Sequence, residues 1–134
     1  MKLSDYVLKF IKEQGVNHAF LITGGAIMNI VDSFDESKNI KYICTTQEQG
    51  AAMAAEAYSR INGNFGVAMA TSGPGATNLI TGIGCAYFDS IPVIYLTGQV
   101  NTYESRQGRA VRRSALAGLA RQTLAAFLSP TLAF

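Results

Sequence analysis

Short apolar runs and helical stripes alternate along the first hundred residues, and glycine-containing turns separate most of them. No other feature restricts the fold as much, because apolar strands joined by single helices imply right-handed crossovers and a parallel sheet covered on both faces. Ser4 is placed to cap a helix whose apolar stripe is Tyr6, Val7, Phe10 and Ile11, with Gly15 at its end. His18 to Ile22 reads as a strand, Ala26 to Phe34 as a helix, Ile40 to Thr45 as a strand, and Glu48 to Ile61 as a helix with Gly63 just beyond it. Gly66 to Thr71 follows as a third strand, Ser72-Gly73-Pro74-Gly75 as a turn, Ala76 to Tyr87 as a helix and Ile91 to Thr97 as a fourth strand. The expected fold is a doubly wound α/β domain with helices on both faces.

A chain of 134 residues is close to the common size of one domain. With 49% apolar residues, 15% charged residues and three prolines, disorder is excluded for most of it. Its apolar stretches fall well short of the eighteen or so residues needed to cross a bilayer, and Met1 to Phe10 lacks the apolar core of a secretory signal. A cytoplasmic location is therefore expected. Cys44 and Cys85 match no metal-ligand spacing and are expected as buried free thiols, and no metal site is expected.

Charge divides the chain in two. Residues 1–104 carry a net charge of −3, whereas residues 105–134 hold five arginines and no acid, with seven alanines and no isoleucine. In this tail Val111, Leu116, Leu119, Leu124, Phe127 and Leu128 can share one helical face, so a basic helix for a partner's groove or an anionic surface is one reading. The other is a segment not native to the preceding fold, because the switch coincides with no element boundary. Five arginines without a nucleic-acid motif offer only salt-sensitive attraction, so neither a nucleic acid nor a membrane is expected as partner.

Ligands of doubly wound sheets sit beyond the carboxyl ends of the strands. Three segments fall there: Thr23-Gly24-Gly25, Gln47-Glu48-Gln49-Gly50 and Ser72-Gly73-Pro74-Gly75. Gly24 and Gly25 leave backbone amides open to a ligand, but glycines also serve turns with no ligand. Residues 72–78, ending in Asn78, form a rigid loop feeding a helix, and they match neither dominant nucleotide-binding fingerprint. Glu48 opens a helix built largely of alanine, a surface suited to close packing. It is either a first-turn carboxylate favoured by the helix dipole or a carboxyl group at a buried edge, poised to exchange a proton with a ligand nitrogen. The residues alone leave both readings standing.

Four ordered segments, Thr45 to Arg60, Ala70 to Asn78, Asp89 to Val93 and Thr97 to Val100, resemble the N-terminal pyrimidine-binding domain of thiamine-diphosphate enzymes, most nearly the acetolactate synthase-like group. The resemblance covers about Leu3 to Val100. It implies that Glu48 hydrogen-bonds the cofactor's aminopyrimidine ring nitrogen and promotes the tautomer that activates the thiazolium carbon. A 2-oxo acid such as pyruvate would then be decarboxylated and the fragment passed to an acceptor. By the same resemblance Gly24 and Gly25 lie close to the reaction centre, and Ser72, Gly73, Pro74, Gly75 and Asn78 shape the pyrimidine end of the pocket. Thr23 stands where the family usually has proline.

Family members hold the diphosphate and Mg²⁺ through a separate domain bearing a Gly-Asp-Gly motif, and this sequence contains no such motif. Nor does Arg109 to Gly118 resemble the family's Phe-Gln-Glu segment. The expectation is therefore a pyrimidine-binding domain over residues 1–104, incomplete at its C-terminal end, followed by the basic tail 105–134. Such a unit would need a homo-oligomer or a diphosphate-binding domain as partner. The alternative is a truncated, non-catalytic chain that only associates with full-length subunits.

Overall fold

The computed structural model describes residues 1–37 and 40–99. The expected tail, 105–134, lies outside the described residues. Within them the order is α1 (Leu3–Glu13), β1 (His18–Leu21), a 3-10 turn (Gly25–Ile27), α2 (Met28–Ser37), β2 (Lys41–Cys44), α3 (Glu48–Asn62), β3 (Gly66–Ala70), α4 (Pro74–Asn78), α5 (Ile80–Phe88) and β4 (Val93–Thr97). All strand pairs are parallel, and the sheet order is β2-β1-β3-β4. The doubly wound α/β expectation holds.

Alternation along the strands divides the core into two layers. Ala19 and Leu21 of β1, Val67 and Met69 of β3, and Ile94 and Leu96 of β4 pack with Leu8 and Ile11 of α1 and Ile27 and Phe34 at α2. Phe20, Ala68, Ala70, Val93 and Tyr95 point the other way, onto Ala51, Ala52 and Ala55 of α3 and Ala86 of α5. A period of two on a sheet buried on both faces requires this split.

Several local expectations are corrected. The apolar stripe of α1 is carried by Leu8 and Ile11, while Tyr6 and Phe10 are 53% and 48% exposed. Ser4 lies inside α1, which starts one residue earlier, and its hydroxyl is 2.8 Å from the Ser33 hydroxyl, to which it can donate. The helix expected over Ala76 to Tyr87 begins instead at Pro74 and is broken at the buried Leu79. Both cysteines are exposed, Cys44 on β2 and Cys85 on α5. All four residues of β2 are exposed too, because β2 is an edge strand and buries little of either face. No helix among the described residues is long and apolar enough to cross a membrane.

Two segments that carried the family resemblance meet at the amino end of the sheet. The Arg60 guanidinium bonds Glu56 at 2.6 Å and also Asp89, and the Ser59 hydroxyl donates to the Pro92 carbonyl at 3.0 Å. These residues fasten the end of α3 to the start of β4. Their geometry is structural.

In the first turn of α1, the Ser33 hydroxyl donates to Asp5 Oδ1 at 2.7 Å and the Lys2 backbone N–H to Asp5 Oδ2 at 2.8 Å. These two bonds, the first the larger influence, hold the Asp5 carboxyl below its ordinary range. A depressed carboxyl stabilises the fold above the ordinary range and stops doing so as pH falls through the folded value. Melting curves should therefore show Ser33→Ala less stable than the parent at pH 7, with the gap narrowing below roughly pH 4. A gap unchanged down to pH 2 would disprove the link.

Candidate functional site

The sheet order fixes where a crevice opens. From β1 the chain runs to β2 on one side, then crosses back to β3 on the other, so the strand order reverses between β1 and β3. Ligands of open α/β sheets bind at this reversal, beyond the carboxyl ends. The turn Thr23–Gly25 leaves β1 and the turn Thr71–Gly73 leaves β3, so the two glycine segments flank it.

Glu48 reaches the same place from β2. The Thr45 hydroxyl donates to the Gln47 carbonyl at 2.8 Å, bending the chain after the strand, and Gln47 is extended where it enters α3. Glu48 is thus the first residue of the helix, where the positive end of its dipole favours a carboxylate. Its Oε2 accepts a hydrogen bond from Asn78 Nδ2 at 2.9 Å, and a Cβ built on Gly75 would lie 3.1 Å from Oε1. Glu48 is half-buried, and among the described residues no cation lies within ion-pair distance of it. One carboxylate oxygen is held by an amide, and the other keeps acceptor capacity beside a glycine.

The alanine surface of α3 allows this approach. A Cβ on Gly82 would lie 2.3 Å from Ala52 Cβ, so α3 and α5 sit as close as glycine against alanine permits. The helix carrying Glu48 is pressed onto the one that follows Asn78.

The predicted residues therefore divide. Glu48, Gly75 and Asn78 come together by direct contact, and Gly24 joins them through Thr71, the last residue of the expected third strand and not among the expected site residues. A Cβ on Gly24 would lie 2.5 Å from Thr71 Cβ, and one on Gly75 would lie 2.9 Å from Thr71 Cγ2. The Ala26 N–H also donates to Thr71 Oγ1, at 3.4 Å. Gly25 and Gly73 present open surface among the described residues, since a Cβ on either would meet none of them within 4 Å. Ser72, Gly73 and Pro74 form the turn itself, with Gly73 in the left-handed region at φ 72° and exposed Pro74 opening α4. The signal for Thr71 was its position directly before a turn already singled out.

Among the described residues no three His, Cys, Asp or Glu side chains group so as to hold a metal ion. The arrangement is a half-buried carboxylate with one oxygen available, beside glycine surfaces that a flat ring can approach. It suits hydrogen bonding to a heteroaromatic nitrogen.

Comparison with known proteins agrees in kind, and the family model extends past the expected end of the resemblance at Val100 into the basic segment. A family model described as "Thiamine pyrophosphate enzyme, N-terminal TPP binding domain" matches residues 1–121. The chain is 50% identical over 97 residues to the acetolactate synthase large subunit of Pyropia yezoensis, a match covering 70% of the chain and 16% of that protein. It is 48% identical over 101 residues to the acetolactate synthase isozyme 2 large subunit of Escherichia coli (strain K12), covering 75% and 18%. With the acetolactate synthase of Mycobacterium bovis it shares 47% over 94 residues, covering 70% and 15%. The chain thus spans about a sixth of the length of the curated relatives it matches.

Proposed function

This chain belongs to the thiamine pyrophosphate enzyme family as its N-terminal TPP binding domain, and we propose that within it Glu48 is the acid that activates the aminopyrimidine of thiamine diphosphate. One observation carries the reading: Glu48 Oε2 is held by Asn78 while Oε1 stands against Gly75, at the crevice where the strand order reverses. The open surfaces at Gly25 and Gly73 leave room for the ring. Residues and group fit.

When bound, the cofactor supplies the electron sink for breaking the bond to the carboxyl group of a 2-oxo acid. The chain's own part is smaller and specific. Glu48 Oε1 shares a proton with the ring nitrogen, Asn78 keeps the carboxylate from rotating away, and the glycine turns admit the ring without a side chain in its path. We assign the diphosphate and Mg²⁺ to a diphosphate-binding domain, in a homo-oligomer or a partner chain, because the domain of residues 1–104 provides the pyrimidine end. By likeness to the acetolactate synthases, the donor substrate is a 2-oxo acid such as pyruvate.

Calorimetry of the 134-residue chain with thiamine diphosphate and Mg²⁺, alone and with a diphosphate-binding domain added, tests this. Binding in either setting should weaken at least tenfold in Glu48→Gln. Equal affinities for parent and variant would remove Glu48 from the site. No heat at millimolar cofactor in both settings favours the second reading, a non-catalytic chain that only associates with longer subunits.

A further inference from the structure

We propose that Thr71 is a positioning residue whose side chain sets the separation of the two glycine turns and, through Gly75, the place of the Glu48 carboxylate. This rests on the reading of Glu48 as the acid of the site.

Thr71 immediately follows β3, at the strand reversal, and touches both sides of it. Its Cβ occupies the space that forbids a side chain at Gly24, and its Cγ2 occupies the space that forbids one at Gly75. Its hydroxyl accepts the Ala26 N–H, which lies just beyond the first glycine turn. Ala26 is also approached from β4, because a Cβ on Gly98, just after that strand, would lie 2.6 Å from Ala26 Cβ. The β1 turn therefore rests against both Thr71 and Gly98, and the Thr71 side chain stands between it and the β3 turn.

Gly75 transmits that spacing. The space where its side chain would sit is bounded by both Thr71 Cγ2 and Glu48 Oε1, and Asn78, three residues on, bonds Oε2. Close-packed atoms pass on a displacement because no void absorbs it. A smaller residue at 71 lets Gly75 settle inward and draws it off Oε1. The two ends of the threonine thus do different jobs, the hydroxyl holding the first turn and the methyl holding the second.

Nuclear magnetic resonance of the ¹⁵N-labelled 134-residue chain, without cofactor, separates the two. In Thr71→Val, which keeps the shape and loses the acceptor, the Ala26 amide should exchange roughly tenfold faster, while the Asn78 side-chain NH₂ signals stay in place. In Thr71→Ser, which keeps the acceptor and loses the methyl, Ala26 should exchange at the parent rate while the Asn78 signals move. Gly75→Ala should shift the Asn78 signals, and adding Thr71→Ser should return them most of the way. Both reporters moving together in both single variants, neither moving, or a Gly75→Ala chain that Thr71→Ser does not rescue would each overturn the proposal. Since no cofactor enters the measurement, its result is independent of whether Glu48→Gln alters cofactor binding.

Discussion

Glu48→Gln is expected to lower pyruvate turnover by roughly 10²- to 10⁴-fold, the range associated with a positioned proton donor or acceptor. The rate is to be measured with thiamine diphosphate, Mg²⁺ and a diphosphate-binding domain completing the site. Glutamine has the size of glutamate, and its carbonyl oxygen can still accept from Asn78 Nδ2, so the local packing around Gly75 is preserved. What it lacks is a carboxyl oxygen able to exchange a proton with a ring nitrogen. The melting temperature should accordingly change little, because Glu48 is half-buried and no ion pair with a described residue is broken. Glu48→Asp retains the chemistry but withdraws the carboxylate by one methylene from Gly75, and should lose activity to an intermediate degree. Turnover equal to the parent's in Glu48→Gln would mean that the carboxylate serves only the start of α3.

Gly66→Ala should cause the largest loss of stability from a single added methyl group. Gly66 opens the interior strand β3, and a Cβ built there would lie 2.0 Å from the Ala55 carbonyl oxygen and 2.6 Å from its carbonyl carbon. Those are backbone atoms in the middle of α3, so no side-chain rotation relieves the clash, and the helix must lift from the sheet. Overpacking costs typically 1–3 kcal/mol where neighbours can adjust, and about 3 kcal/mol or more is expected here. For a domain of this size that corresponds to a fall in melting temperature of more than ~10 °C. Gly84→Ala provides the contrast within the same molecule. It lies in α5 with none of the described residues within 4 Å of an added Cβ, and alanine there should stabilise by about 0.5–1 kcal/mol through helix propensity. Thermal melts that rank the two variants together would mean that α3 does not rest directly on Gly66.

The two predictions are linked by the same surface. The close seat of α3 on Gly66 and Gly82 holds the helix whose first residue is Glu48. A variant that lifts α3 should therefore lose activity together with stability, whereas Glu48→Gln should lose activity alone.

The kinds and order of the elements were legible in the sequence because periodicity is a local property. A four-residue run such as His18–Leu21 has no polar face, and Glu48–Asn62 repeats its small residues at helical spacing, so each announces its own geometry. Gly15 and Gly63 likewise marked helix ends by adopting positive φ there. Glu48 could be singled out because a carboxylate at a helix start beyond a strand lies at the ligand-binding edge of any such sheet. Spacing along the chain could not tell which strands become neighbours. Strand order placed β2 at the edge, which left Cys44 and the rest of β2 exposed where their apolar run suggested burial. It also brought Thr71, forty-seven residues from Gly24, into the contact that holds the two glycine turns apart. An amino acid's own conformational preference acts over a few bonds, but steric exclusion between two turns exists only after the strands that carry them have paired, and so the crevice around Glu48 belongs to the tertiary structure alone.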